Sequence, residues 1–335
     1  MASYCRVWVL HLRRLNVCWG TRKVGSPCTF KSWIMRNFFN TFALSLSLAA
    51  ALGITASAAS APAHAGEANN KADMIATADE KLKTEIDGYW KKFPGRAGIA
   101  IYTPFSDEVI GKRQTERFPQ QSVSKMWVAL TILEQEAAGK LSLDKRIRIT
   151  RDDVVVFNQP LKNYLDGRDS FEMSLRELLA HSINASDNMA NNVLLRVAGG
   201  PQAINQMLER RKVQSIRFGP GEVLLQSAIA GLEWKTEYRN GNAFKAQRST
   251  IPMAKRKSAL DAYLETPLDG AAPGTIALVL KRFSERDAND PGAKLLKLMA
   301  GTYTGRSRLR SGLAPGWRLA HKTGRSEERR VGKEC

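Results

Sequence analysis

The sequence predicts an α+β domain, with helices packed against an antiparallel sheet. Three observations lead there: two adjacent β-patterned runs between 96 and 118, a block of helical patterns from 122 to 211, and one late β-patterned run at 317–323.

Taken in order, Asp73 to Phe93 carries Met74, Ile75, Ala78, Leu82, Ile86 and Trp90 near helical spacing, with Asp73 placed to cap the N-terminus. Arg96 to Thr103 is strand-like, Pro104 to Asp107 is a turn, and Glu108 to Phe118 is a second strand, so the pair is expected as a hairpin. Ser122 to Gly139 is a helix with Met126, Ala129, Leu130 and Leu133 on one face and Gly139 ending it. Ser174–Ile183 and Asn188–Val197 are further helices, and Pro201–Arg211 is another after the Gly199-Gly200 break. From Phe218 to Pro273 the pattern is irregular, with turn signals at Gly219-Pro220-Gly221, Asn240-Gly241 and Asp269-Gly270. A loop this long is uncommon in a compact domain, so local folding is expected within it. Thr275–Arg286 and Ala293–Met299 are helices, and Trp317–Thr323 is a strand.

The ends differ from the middle. Residues 1–65 carry seven Lys or Arg and no Asp or Glu, and positions 38–61 hold no charge. A basic start, an apolar stretch and Ala63-His64-Ala65 form the layout of a secretory signal with its cleavage site. The alternative is a spanning helix, but the most apolar part, Thr41 to Ile54, is short for a span and small residues follow it. A signal of ordinary length runs over 35–65 from Met35, which leaves 1–34 as sequence upstream of the true start. Export to the periplasm or beyond is therefore expected, with Gly66 first and no stable membrane insertion after cleavage.

The cysteines are Cys5, Cys18, Cys28 and Cys335, so 66–324 has none. A disulfide, a cysteine nucleophile and a thiolate metal site are excluded there. The formal charge is +19, but the two ends contribute much of it, and 66–324 keeps 40 basic and 29 acidic residues. These bases are dispersed and no aromatic-interleaved array accompanies them, so a solvated basic surface is expected rather than a nucleic-acid site.

The domain has two histidines, His181 and His321, and no G-x-S-x-G, so a Ser-His-Asp hydrolase has little support. No H-E-x-x-H or phosphate-loop motif occurs, and no metal or cofactor is expected. Three short motifs are present instead: Ser122-Val123-Ser124-Lys125, Ser186-Asp187-Asn188 and Lys322-Thr323-Gly324. Ser142-Leu143-Asp144-Lys145 also matches the first pattern, but its surroundings read as an exposed turn. Ser122 and Lys125 stand at i and i+3 and share a helix face. A nearby ammonium favours the alkoxide, and a neutral lysine, its pKa depressed by burial or by Lys322, could take the proton itself. The bland alternative for Ser122 is a simple N-cap.

The ordered set S-x-x-K, S-D-N and K-T-G is shared by class A β-lactamases and penicillin-binding proteins. From about Asp73 to Gly324 the chain resembles class A β-lactamases. FPQQSVSKMWVALTILEQEAAGKLSLD resembles the family's nucleophile helix, HSINASDNMANNVLLRVAGGPQAIN its S-D-N segment and GLAPGWRLAHKTG the approach to its K-T-G strand. The resemblance implies a two-lobed β-lactamase/transpeptidase-like fold, with an all-helical lobe and a sheet-bearing lobe around the site. It implies Ser122, Lys125, Ser186 and Glu222 as catalytic residues and Asn188, Lys322, Thr323 and Gly324 as substrate-binding residues. The expected partner is a small β-lactam acting on a monomer.

Three departures qualify the resemblance. The family's E-x-x-L-N is Glu222-Val223-Leu224-Leu225-Gln226 here, and Glu233 and Glu237 compete for the role of Glu222. Arg217 and Asp269 resemble the ion pair that closes the family's loop, but 51 residues separate them. After Gly324 the family continues with two strands and a helix, whereas 325–335 resembles an artefactual tail, so the catalytic domain 66–324 is expected to be incomplete. The rivals to a β-lactam hydrolase are a D-Ala-D-Ala peptidase with the same motifs, and a non-catalytic envelope protein of the same fold.

Overall fold

The computed structural model describes residues 8–14, 63–103, 108–305, 312–313 and 315–326, with 8–14 and 63–71 as backbone only. The expected turn 104–107, most of the signal-like stretch and the tail beyond 326 lie outside the described residues.

The chain runs β1 (Trp8–Arg14), α1 (Ala63–Trp90), β2 (Ile99–Tyr102), β3 (Val109–Lys112), β4 (Phe118–Pro119), a 3₁₀ turn (Gln121–Ser124), α2 (Lys125–Ala137), β5 (Arg146–Thr150), β6 (Ser170–Ser174), α3 (Leu175–Asn184), α4 (Asn188–Ala198) and α5 (Gly200–Arg210). It continues with α6 (Glu222–Ala230), α7 (Gly241–Thr250), α8 (Met253–Glu265), β7 (Gly270–Ala271), α9 (Pro273–Ser284), α10 (Pro291–Ala300) and β8 (Trp317–Thr323). The mixed class is as expected, but the described strands form four separate antiparallel pairs: β1 with β8, β2 with β3, β4 with β7 and β5 with β6.

α2 is the centre of the molecule. Met126 to Ile132 are all buried, so this helix is covered on every side rather than along one stripe. Around it α3, α4, α5, α9 and α10 contribute Leu178, Val193, Leu194, Ile204, Val279 and Leu295 to one continuous apolar core. α3 starts with a capping box, in which Ser174 accepts from the Glu177 amide and Glu177 accepts from the Ser174 amide. A helix held this firmly gives the residues at its start a fixed position.

Several expectations are corrected. Helix α1 begins at Ala63, so Asp73 lies inside it and caps nothing; its carbonyl accepts from the Thr77 hydroxyl one turn on. The second strand of the hairpin stops at Lys112, and Phe118–Pro119 pairs instead with Gly270–Ala271. The long irregular region is largely helical, holding α6, α7 and α8. Strands β5 and β6 were not expected, nor was β1, whose backbone pairs with the whole length of β8 from Trp8↔Thr323 to Arg14↔Trp317.

Candidate active site

The nucleophile helix begins one turn later than its motif suggests. Ser122 lies in the 3₁₀ turn that feeds α2; Gln120 stands at the cap of that turn and Ser124 at the cap of α2. Ser122 is therefore not a helix cap. Gln121 before it has φ +51°, in the left-handed region. Such a residue costs roughly 1–3 kcal/mol and persists where surrounding contacts hold it. Here the Gln121 amide donates to Asp269 Oδ2 at 2.6 Å, and the Gln120 side chain donates to the carbonyls of Arg217 and Asp269.

Lys125, buried at the start of α2, points back at this turn. Its Nζ lies 3.0 Å from Ser122 Oγ, 2.9 Å from the Ser186 carbonyl, 3.4 Å from Ser186 Oγ and 2.5 Å from Asn188 Oδ1. Burial pulls its ammonium below the usual lysine range, while Glu222 and Asp187 partly oppose that.

The S-D-N segment is the turn between α3 and α4. Ser186 has φ +57°, and Asp187 caps α4 by accepting from the Ala190 amide while also accepting from the Leu161 amide at 2.7 Å. The Asn158 side chain donates to the carbonyls of Ala185 and Ser186, and the Asn158 carbonyl accepts from the Asn188 amide. Asn158 was missed in the sequence. The Phe157-Asn158-Gln159-Pro160 stretch carries a turn signal, but nothing local marks its partner.

The K-T-G strand closes the other side. Lys322 on β8 donates to Ser186 Oγ at 2.8 Å and to the Thr323 carbonyl at 3.1 Å. Burial holds its ammonium well below the usual range, and the charge of Lys125 lowers it further. The Thr323 hydroxyl is 3.4 Å from that of Thr304. Gly324 lies against the nucleophile turn so closely that a Cβ there would stand 2.2 Å from the Gln120 carbonyl oxygen.

Glu222 is the first residue of α6. Its Oε1 accepts from Asn188 Nδ2 at 2.9 Å, which places it in the same cluster. Burial pushes its carboxyl above the ordinary glutamate range, offset in part by Lys125, by a hydrogen bond from Gln226 and by Lys322. The competitors Glu233 and Glu237 are exposed, and so are Ser142 and Lys145 of the second S-x-x-K match. The expected Arg217–Asp269 ion pair is absent among the described residues. Arg217 is exposed, its amide bonding the Gly270 carbonyl, while the Asp269 carboxylate accepts from Tyr263 Oη and the Gln121 amide. A tyrosine from the inserted segment thus takes the place expected of the arginine.

Each predicted site residue therefore falls in or beside one cluster. Its chemistry is a hydroxyl with a deprotonatable amine beside it, a second hydroxyl between two amines, and a carboxylate with a raised pKa. No group of three or more His, Cys, Asp or Glu able to hold a metal occurs among the described residues.

The beta-lactamase enzyme family model matches residues 80–331. The extended-spectrum beta-lactamase PER-1 of Pseudomonas aeruginosa is 28% identical over 248 residues, 73% of this chain and 69% of that protein. The beta-lactamase CTX-M-97 of Escherichia coli is 26% identical over 72% of this chain and 71% of its own length. Among solved structures, the class A beta-lactamase of the last common ancestor of Gram-negative bacteria is 27% identical with a TM-score of 0.53, covering 73% of this chain and 80% of that one. A beta-lactamase from Chitinophaga pinensis shares the fold at 22% identity and a TM-score of 0.52, over 75% of this chain and 94% of that one. With the match spanning most of the chain and the three motifs converging on one site, the chain belongs to the beta-lactamase enzyme family, as a serine enzyme of class A.

Proposed function

We propose that the chain hydrolyses β-lactams through an acyl-enzyme formed on Ser122. The observation that carries this reading is the placement of Lys125 Nζ, 3.0 Å from Ser122 Oγ. A neutral amine has two N–H donors and one lone pair. Two of the neighbours of Lys125, the Ser186 carbonyl and Asn188 Oδ1, can only accept. Both donors are then used, and the lone pair is left for the Ser122 proton. Among the described residues no hydrogen bond joins Glu222 to Ser122, so this geometry favours Lys125 as the base for acylation.

As Ser122 attacks the lactam carbonyl, its proton passes to Lys125. Ser186 Oγ, between Lys125 and Lys322, hands its proton to the departing nitrogen and is reprotonated by Lys125, which returns to the neutral amine. In this reading Lys322 and Thr323 receive the substrate carboxylate, and Asn188 holds its side-chain amide. Glu222, as carboxylate, then activates the water that cleaves the ester. A D-Ala-D-Ala peptidase would keep its acyl-enzyme for want of such a base, and the presence of Glu222 beside Asn188 supports the hydrolytic reading.

The same reading has the protein exported, cleaved after Ala65 and acting as a monomer. The support for export is the basic start and apolar stretch of the sequence, and N-terminal sequencing that finds Gly66 first would bear it out. No helix among the described residues is long and apolar enough to cross a membrane.

The test is labelling by a fluorescent penicillin together with nitrocefin hydrolysis. Ser122→Ala should lose both, and labelling that survives the substitution would refute the nucleophile.

A further inference from the structure

Glu222 does not stand alone on its loop. Its helix places Gln226 one turn further on, where the family pattern has Asn. The extra methylene brings the Gln226 amide within reach of the nucleophile turn. Gln226 Nε2 donates to Gln121 Oε1 at 2.9 Å, and Gln226 stands four residues after Glu222 on the same helix, where its amide acts to lower the pKa of the Glu222 carboxyl. Gln121 Nε2 donates to Tyr263 Oη at 2.6 Å, and Tyr263 Oη donates to Asp269 Oδ1 at 2.8 Å. Gln121, Gln226, Tyr263 and Asp269 are all buried.

The direction of this chain is set from its far end. Asp269 Oδ2 accepts from the Gln121 amide and Oδ1 accepts from Tyr263, so Tyr263 is the donor at that end. The oxygen of Tyr263 then accepts, which turns the NH₂ end of Gln121 toward it. That leaves Gln121 Oε1 facing Gln226, so Gln226 must present its NH₂ end to Gln121 and, with it, to Glu222. Each amide has one polar arrangement that satisfies both neighbours, and burial makes the other arrangement costly.

We propose that Tyr263, carried by the inserted helix α8, is a positioning residue for hydrolysis of the acyl-enzyme: through Gln121 and Gln226 it fixes which end of the Gln226 amide faces the Glu222 carboxylate. The inserted segment thereby takes part in the reaction without touching substrate. This rests on the hydrolytic reading above for what Glu222 does, but not for how Glu222 is held.

The consequence is a proton affinity. A donor facing Glu222 favours its carboxylate; a carbonyl facing it would favour the acid. The other groups that bear on Glu222 are Lys125 on α2, Lys322 on β8 and Asp269 before β7, with Asn188 donating to it from α4 and Asp187 acting on Lys125 beside it. Of these, Asp269 accepts from Tyr263 Oη. Removing the Tyr263 hydroxyl takes away the acceptor that fixes the Gln121 NH₂ end, so both amides gain a second arrangement, in which the Gln226 oxygen faces Glu222. The Glu222 carboxyl should titrate higher, and the base should be lost at a higher pH.

The experiment uses the full chain as parent, Tyr263→Phe and Gln226→Met. Difference infrared titration follows the Glu222 carboxyl, whose band is assigned by its loss in Glu222→Gln. Stopped-flow with nitrocefin separates acylation from deacylation. Both variants should raise the Glu222 midpoint by about one unit. Tyr263→Phe should slow deacylation at neutral pH about tenfold and change acylation less than about threefold. An unshifted midpoint in Tyr263→Phe overturns the proposal, including when acylation and deacylation fall together, since that is the signature of packing alone. If Tyr263→Phe does not fold, an unshifted midpoint in Gln226→Met overturns it equally. A shifted midpoint in a protein whose parent does not hydrolyse nitrocefin upholds the relay and removes the hydrolytic reading instead.

Discussion

Lys322 Nζ donates to Ser186 Oγ at 2.8 Å, joining residues 136 positions apart and pinning β8 to the turn before α4. Ser186 thereby has a buried lysine nitrogen on either side, with Lys125 Nζ 3.4 Å away.

Lys322→Ala should lower kcat/KM by roughly 10²–10³-fold, the loss typical of one preorganised electrostatic contact. The pH profile identifies the group. Lys322 has a lowered pKa, so its charge disappears as pH rises through that value, and the basic limb should lie below the ordinary lysine range. A guanidinium keeps its charge, so Lys322→Arg should move that limb upward whatever its absolute rate. A limb that stays in place would assign the titration to another residue.

Glu222→Gln should acylate and then stall, leaving a covalent adduct by mass spectrometry. In the parent, the carboxylate form is the base and its pKa is raised, so deacylation should fall as pH drops through a value above the ordinary glutamate range. The sign for stability is the opposite. A raised folded-state pKa means the folded chain binds the proton more tightly, so this group stabilises only as pH falls through that value. At neutral pH its buried charge opposes folding, and Glu222→Gln should unfold at a higher temperature than the parent. A lower unfolding temperature would contradict that linkage.

Gly324→Ala tests the seam between β8 and the nucleophile turn. The added Cβ would meet the Gln120 carbonyl oxygen at 2.2 Å, and backbone rather than a flexible side chain must give way. A displacement of about 1 Å at the site can cost roughly a hundredfold in rate. Nitrocefin turnover should fall by about that factor while circular dichroism stays native. Full activity would show that the seam is slack.

Phe244→Ala tests the inserted segment as a buttress. Phe244 is 1% exposed and packs edge-to-face on Phe157 and Tyr238 at 5.5 and 5.8 Å. Phe157 lies between Val156, whose carbonyl accepts from Asn188, and Asn158, which holds the Ser186 turn. Truncation should destabilise by about 3–5 kcal/mol and raise KM several-fold by loosening that rim. A fall in stability with unchanged KM would confine the segment to a scaffolding role.

Local pattern was enough for the chemistry-bearing motifs. Ser122 and Lys125 are one helical turn apart, and Asp187 caps its own helix, so each of these relations is written into a few consecutive residues. The limits of β8 and of α3 to α5 were legible for the same reason, since short-range periodicity and the Gly199-Gly200 break report on local burial. The helices of 218–273 were not legible. α8 buries only Arg256 and Tyr263, which is too sparse a pattern to stand out from loop sequence. Strands β5 and β6 are five residues each and become strands by pairing with each other. The cap expected at Asp73 failed because the helix continues through it, and capping residues only act where a helix ends.

The sequence by itself determined which residues could attack, relay and hydrolyse, because their types and spacing state that chemistry. Only the tertiary structure decided what holds them. Asp269 could be paired with Arg217 on paper, yet it bonds to Tyr263 and to the amide of Gln121, and Gln226 reaches Gln121 across 105 positions. A buried polar group takes whichever partner packing brings within 3 Å, and that choice depends on how distant segments fold together, which no spacing along the chain encodes.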